Sequence, residues 1–194
     1  GAGTTLQLVL VLPRGDVAEL EQDLPPEPGQ GFLARPLPSV AQALAERSLV
    51  LIVDDHPTNR LVVARQLALA GYASESAEDG VKGLAAWRTG RYALVLSDVH
   101  MPEMDGYEMA RALREEEARD GKPRTPVIAL TAAALKGEAE RCLAAGMDEF
   151  LAKPVSIPEL VGCLRRWLPH TVPLAGQVVP SSLPQAHDDP TPLD

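Results

Sequence analysis

Five polar side chains stand at the ends of short apolar runs of the chain: Asp54, Asp55, Asp98, Thr131 and Lys153. Three of them are carboxylates, which repel one another when they are brought together without a cation. Hard divalent ions prefer such oxygen ligands, so the three aspartates favour Mg²⁺. A lysine and a hydroxyl beside a carboxylate–metal site suit the oxygens of a phosphoryl group. The residue types therefore indicate phosphoryl transfer, with Asp98 as the nucleophile that forms an aspartyl phosphate.

This chemistry requires the five residues to meet, and the pattern of apolar segments predicts that they do. Residues 49–53, 93–96 and 126–130 are short and apolar on both alternating faces, as strands of a covered parallel sheet are. Residues 72–77 and 148–152 are weaker strand candidates. Five strands that alternate with helical patterns predict a doubly wound α/β domain. In such folds the residues at the carboxyl ends of the strands share one edge, where ligands bind.

Two helices carry the clearest boundary signals. The first follows residue 54, shows apolar residues at helical spacing, and is expected to stop at Gly71. The second contains an apolar stripe from Ile157 to Leu168 and begins behind Ser156 and Glu159, which have the spacing of a capping box. Both helices are typical of the layers that cover a parallel sheet.

Composition limits the classes of function. The 194 residues carry a net charge of −9, from 18 basic and 27 acidic residues, so no nucleic-acid partner is expected. The two cysteines, Cys142 and Cys163, lie in apolar helical patterns and are expected to be buried thiols. No apolar run approaches the roughly 20 residues that span a bilayer, and no signal peptide is visible. We therefore expect a cytoplasmic piece without membrane contact. Because the sequence begins at Gly1 and not at Met, we expect this piece to belong to a longer parent chain, which could itself be membrane-bound.

Four segments resemble the motif blocks of the response-regulator receiver domain, in the order of that family: LIVDDHPTNR, VLSDVHMPEMDG, ALTAAA and DEFLAKPV. The resemblance covers about residues 48–168, and the four blocks together are far more specific than any one of them. It implies a flavodoxin-like (βα)5 fold with a five-stranded parallel sheet in the order 2-1-3-4-5 and helices on both faces.

The resemblance also assigns the acidic residues. It implies that Asp98 accepts the phosphoryl group, and that Asp55, Asp98 and the backbone carbonyl of His100 bind Mg²⁺ directly. Asp54 would assist, often through water. The imidazoles of His56 and His100 are not expected to bind this ion, because imidazole is a poor ligand for Mg²⁺.

The remaining site residues follow from the same resemblance. Thr131 and Lys153 would contact the phosphoryl oxygens, and the Lys153–Pro154 peptide bond is expected to be cis. Phe150 occupies the aromatic switch position of the family and would follow Thr131 between two conformations. Core packing explains an apolar residue at position 150 about equally well, so both interpretations stay open.

The flanks of the receiver-like region are rich in proline and glycine. Residues 1–13 resemble the last glycine box and final strand of a histidine-kinase ATP-binding domain. Residues 14–47 are expected to be a Pro-rich linker, 48–169 the receiver, and 170–194 a disordered Pro-rich tail or linker. This layout resembles an unorthodox hybrid sensor histidine kinase of the BvgS/EvgS kind.

The sequence thus predicts a receiver domain of a two-component phosphorelay. It would take a phosphoryl group from the phosphohistidine of a kinase core onto Asp98 and pass it to a histidine phosphotransfer domain. The fragment would catalyse its own Mg²⁺-dependent phosphotransfer and dephosphorylation, without an ATP site. Two alternatives remain: a stand-alone response regulator that acts by protein contact, and a receiver-like binding module that works without phosphorylation and would not need all five polar residues.

Overall fold

Strands and helices alternate along the residues that the computed structural model describes, 35–132 and 136–171. The strands are β1 (Val50–Val53), β2 (Ser74–Ala77), β3 (Leu94–Asp98), β4 (Val127–Thr131) and β5 (Glu149–Ala152). The helices are α1 (Val40–Glu46), α2 (Pro57–Leu69), α3 (Gly80–Trp87), α4 (Gly106–Asp120), α5 (Lys136–Ala144) and α6 (Ile157–Trp167), followed by a 3-10 turn (Pro169–Thr171).

The five strands form one parallel sheet in the order β2-β1-β3-β4-β5. This confirms the predicted doubly wound α/β fold and its strand order. The central strands β1, β3 and β4 are buried along their whole length, as continuous apolar runs require. Because all strands run in the same direction, the residues that end β1, β3 and β4 share one edge of the sheet.

Each face of the sheet carries its own apolar layer. Alternate residues of a strand point to opposite faces, so Leu51 and Val53 pack with α3, α4 and α5, whereas Val50 and Ile52 pack with α2 and α6. Cys142 belongs to the first layer and Cys163 to the second, and both are buried free thiols as predicted. Helices therefore cover the central strands on both faces of the sheet.

The predicted helix boundaries agree with the structure. Helix α2 ends at Leu69, and Gly71 adopts a left-handed backbone with φ of 80°. A Cβ atom at Gly71 would also lie 2.2 Å from the carbonyl oxygen of Arg35, so the turn requires glycine for space as well as for conformation. Helix α6 begins at a complete capping box of Ser156 and Glu159.

Helix α1 lies inside residues 14–47, which their prolines predict to be a linker. Pro36 and Pro38 both precede the helix. It begins after Ser39, whose side chain forms a capping box with Gln42. Ala43 is fully buried and packs with Leu49 and Ala73. The apolar packing of α1 therefore extends the folded unit upstream of residue 48.

The end of the described chain packs against the same region. The Thr171 hydroxyl makes a buried 2.6 Å hydrogen bond with the Tyr72 hydroxyl, and Nε2 of His170 lies 3.0 Å from the carbonyl oxygen of Glu46. These contacts join both flanks at the amino-terminal end of the strands, opposite the edge that carries Asp98. The predicted kinase remnant, residues 1–13, and the tail from residue 172 lie outside the described residues.

Within residues 35–132 and 136–171, no helix is long and apolar enough to cross a membrane.

Candidate active site

The strand ends bring the predicted site residues together. Asp54 and Asp55 directly follow β1, Asp98 is the last residue of β3, and Thr131 is the last residue of β4. Lys153 follows β5, whose last residue Ala152 pairs with Thr131. The buried strands β1, β3 and β4 hold Asp54, Asp98 and Thr131 at their ends, which limits the freedom of these side chains to move apart.

Three carboxylates form the acidic part of the site. One oxygen of each of Asp54, Asp55 and Asp98 lies within 4.8 Å of the others. Asp54 is fully buried and Asp98 is 9% exposed, whereas Asp55 is open to solvent. Carboxylate oxygens grouped in this way are the donor set of a hard divalent cation, and the exposed Asp55 leaves a path from solvent.

Lys153 bridges two of the carboxylates. Its Nζ lies 2.7 Å from Oδ2 of Asp54 and 2.8 Å from Oδ2 of Asp98. Burial lowers the pKa of the ammonium, but the hydrogen bonds and charges of the two aspartates more than offset this and raise the pKa of Lys153 above its usual value. The lysine therefore stays charged at neutral pH and compensates part of the negative charge of the site.

The backbone also positions the lysine. The Lys153 N–H donates a 2.7 Å hydrogen bond to the carbonyl oxygen of Thr131, which ties the segment after β5 to the end of β4. The Lys153–Pro154 peptide bond is cis, as the resemblance implied. The side chain of Thr131 is buried at the same edge of the sheet.

Two residues that the sequence analysis did not single out contact the acidic pair. Nδ2 of Asn59 lies 3.2 Å from both carboxylate oxygens of Asp54. The guanidinium of Arg60 donates to the backbone carbonyls of Asp54 and Asp55, at 2.7 and 3.1 Å. The available signal was Pro57 at the first position of α2, because it places both residues in the first turn, beside the acids.

The loop after β3 closes tightly on the site. The His100 N–H donates a 3.3 Å hydrogen bond to Oδ1 of Asp98, while the His100 imidazole is exposed and lies 3.4 Å from Oε1 of Glu138. A Cβ atom at Gly106 would stand 2.2 Å from the Asp98 carbonyl oxygen, so glycine is needed here for close approach. The left-handed residue of this turn is Glu103, with φ of 65°.

Phe150 lies in β5 and is partly buried against the apolar layer formed by α3, α4 and α5. Its strand partner is Ala129, two residues before Thr131. The packing satisfies the simple core interpretation of this residue. A coordinated movement with Thr131 stays a prediction.

The parallel five-stranded sheet, with three acids and a lysine at the carboxyl edge, defines the CheY-like receiver class of protein. The model of the response regulator receiver domain matches residues 50–165, more than half of the chain, and the chain belongs to that family of two-component signalling domains.

Several sensor kinases are similar in sequence. The chain is 39% identical over 153 residues to the sensor histidine kinase RcsC of Escherichia coli, a match that covers 78% of the chain and 15% of RcsC. It is 42% identical over 149 residues to the virulence sensor protein BvgS of Bordetella pertussis, which covers 74% of the chain and 12% of BvgS. The chain thus spans less than a sixth of the length of these relatives.

Solved receiver domains share the fold. The receiver domain of the sensor histidine kinase PA1611 from Pseudomonas aeruginosa, with a magnesium ion coordinated in its active-site cleft, is 38% identical with a TM-score of 0.57. That match covers 63% of the present chain and 98% of the PA1611 domain. The receiver domain of Ssk1 from Saccharomyces cerevisiae, crystallised with the histidine phosphotransfer protein Ypd1, is 26% identical with a TM-score of 0.58, over 62% of this chain and 88% of that one.

Proposed function

We propose that the chain accepts a phosphoryl group on Asp98. The observation that carries this proposal is the shared ion pair at the sheet edge: Lys153 lies between Asp98 and Asp54, beside the solvent-exposed Asp55. A carboxylate oxygen of Asp98 attacks the phosphorus atom of a phosphohistidine, the P–N bond breaks, and the leaving imidazole takes up a proton from solvent. The product is an aspartyl phosphate on a residue that a buried strand holds in place.

The donor set fits Mg²⁺. Asp55, Asp98 and the His100 carbonyl would hold the ion, with Asp54 as an additional acid beside it. All of these donors are oxygens, and two of the three carboxylates are almost fully buried, which strengthens their pull on a cation. The bound ion would neutralise the charge that builds up between the phosphoryl oxygens and Asp98. The magnesium ion in the PA1611 receiver domain supports this assignment.

Lys153 and Thr131 would bind the phosphoryl oxygens. The ammonium of Lys153 already contacts Asp98, so it lies within reach of a group attached to that carboxylate. The buried hydroxyl of Thr131 would donate a hydrogen bond from the neighbouring strand end. We further propose that this contact draws Thr131 inward and that Phe150 follows, as a switch between two conformations.

The similarity to sensor kinases supports a place in a hybrid kinase. Residues 48–169 make up less than two thirds of the chain, so the 78% match to RcsC includes residues outside them. We propose that residues 1–13 end a kinase ATP-binding domain and that 170–194 lead to a further module. Residues 14–47 would link the kinase domain to the receiver, with α1 packed on the receiver at the end of this link. The donor would be the kinase core of the same parent chain. The acceptor would be a histidine phosphotransfer domain, the class of partner present in the Ssk1 complex.

The same chemistry would serve a stand-alone response regulator, which differs only in the domains that accompany it. A binding module that works without phosphorylation is a weaker candidate, because it has no need for a lysine held between two buried carboxylates. Burial of these charges is costly, and this cost favours a reaction at Asp98 over a purely structural role.

Intact-mass measurement tests the proposal. The 194-residue chain is incubated with acetyl phosphate, with and without Mg²⁺, and compared with Asp98→Asn. Asp120→Asn is the matched control, since Asp120 lies at the far end of α4. We expect a Mg²⁺-dependent gain of one phosphoryl group in the wild type and the control, and none in Asp98→Asn. No gain in a folded wild-type chain, or an equal gain in Asp98→Asn, would overturn the assignment.

A further inference from the structure

The carboxylate of Asp54 depends on the protein for its hydrogen bonds. Asp54 is fully buried, so water does not solvate its two oxygens freely. Oδ1 accepts from the His56 N–H at 2.8 Å, and Oδ2 accepts from Nζ of Lys153 at 2.7 Å. Nδ2 of Asn59 contacts both oxygens at 3.2 Å. Three different donors therefore set the orientation of this one side chain.

The three donors differ in what they do during the proposed reaction. Lys153 is shared with Asp98 and would turn to the phosphoryl oxygens, so its contact with Asp54 is temporary. The His56 N–H belongs to the backbone and reaches a single oxygen. Asn59 is uncharged and contacts both oxygens, so it fixes the plane of the carboxylate without cancelling the negative charge that attracts a cation.

The position of Asn59 is itself fixed by its neighbour. Arg60 follows it in the first turn of α2 and donates to the backbone carbonyls of Asp54 and Asp55. This contact anchors the start of the helix to the loop that carries the acids. This anchor does not involve Lys153.

We infer that Asn59 is a positioning residue that holds the Asp54 carboxylate for binding of the divalent cation. The inference rests on the proposed function and adds a determinant of cation affinity to it. A side chain that orients an acid beside a metal contributes to metal affinity, and its removal typically weakens binding by about 10-fold to 100-fold. Phosphoryl contacts from Lys153 and Thr131 do not involve Asn59, so the rate at saturating cation should not depend on it.

The test compares Mg²⁺ affinity and phosphoryl uptake in the full chain. Isothermal titration calorimetry gives the Mg²⁺ dissociation constant of the wild type, Asn59→Ala, Asn59→Gln and Thr58→Ala. Thr58 is the matched control because it is exposed in the same helical turn. Uptake from acetyl phosphate is then measured as a function of Mg²⁺ concentration, and urea unfolding shows that each variant is folded.

We expect the Mg²⁺ dissociation constant of Asn59→Ala to rise about tenfold, together with the Mg²⁺ concentration for half-maximal uptake. The uptake rate at saturating Mg²⁺ should stay at the wild-type value. Asn59→Gln, which keeps the amide, should recover part of the affinity, and Thr58→Ala should bind as the wild type does. If Asn59→Ala is unfolded, Asn59→Leu fills a similar volume without a donor and replaces it.

Two outcomes overturn different claims. Equal Mg²⁺ affinity in the wild type and Asn59→Ala refutes the role of Asn59, while uptake on Asp98 still supports the proposed function. A lower uptake rate at saturating Mg²⁺ with unchanged affinity also refutes it, because the residue would then act on the phosphoryl transfer itself. A wild-type chain that binds no Mg²⁺ and gains no phosphoryl group refutes the proposed function instead.

Discussion

Replacement of Arg114 by methionine should destabilise the domain by about 3 kcal/mol, because this arginine joins two nearly buried acids. Its guanidinium lies 2.6 Å from Glu117 and 2.7 Å from Asp148. The arginine side chain is 14% exposed and each acid only 7%. Arg114 also donates to the backbone carbonyls of Gly146 and Thr125, at 2.8 and 2.9 Å. The network thus ties α4 to the segments that precede β4 and β5.

The magnitude follows from what the two acids keep after the change. Removal of one partner from a buried ion pair costs about 3–5 kcal/mol, since the remaining charge is left without compensation. Glu117 keeps a 2.6 Å hydrogen bond from the Thr125 N–H. Asp148 keeps Arg124 and the Val127 N–H, both at 2.8 Å. Because these donors remain, we expect a loss at the lower end of that range, about 3 kcal/mol. The total free energy of unfolding of a domain is roughly 5–15 kcal/mol.

Urea unfolding followed by far-ultraviolet circular dichroism measures this loss. The midpoint of Arg114→Met should fall by roughly 1–3 M at the urea m-values of about 1–3 kcal/mol/M that are typical of small domains. Arg88→Met is the matched control: Arg88 also pairs with an acid on α4, Glu116, but its side chain is half exposed and its loss should change the midpoint little. A loss below about 1 kcal/mol, or one no larger than that of the control, would refute the reasoning.

Three further predictions concern other parts of the fold. A chain that begins at residue 48 should have a free energy of unfolding about 2 kcal/mol lower than one that begins at residue 35, because it lacks the apolar packing of α1; equal stability by urea unfolding would contradict this. Cys142 and Cys163 should react with a thiol reagent at pH 8 only after unfolding, because both side chains are buried. Burial also raises the pKa of Cys163 to about 12, so its thiol stays protonated at this pH. Rapid labelling of the native chain would contradict this prediction. Lys153→Met should have a lower free energy of unfolding than the wild type below the ordinary lysine pKa of 10.5. This difference in free energy should shrink as the pH rises through the pKa of Lys153 in the folded chain, which lies above 10.5. Unfolding curves from pH 8 to above pH 10.5 that keep a constant difference would contradict this.

The sequence by itself determined the strands, the fold class and the residues that end the strands. Short runs such as residues 49–53 are apolar on both faces, and that local pattern is sufficient to predict a buried parallel strand. Asp98 and Lys153 were identified because polar residues directly after such runs must lie at a sheet edge. Gly71 and Ser156 marked their helix boundaries for a similarly local reason, the geometry of helix ends.

The tertiary structure alone decided which side chains touch. Lys153 and Asp54 are 99 residues apart in sequence, and their 2.7 Å contact depends on strand order and register. Asn59 contacts Asp54 because the first turn of α2 lies beside the acids. Helix α1 packs on the domain because Ala43 contacts Leu49 and Ala73. Hydrophobic periodicity is a property of a few neighbouring residues, and it predicts only that the site residues share one edge of the sheet. The particular partner of each side chain arises only when distant segments pack, so these individual contacts could not be predicted from the chain alone.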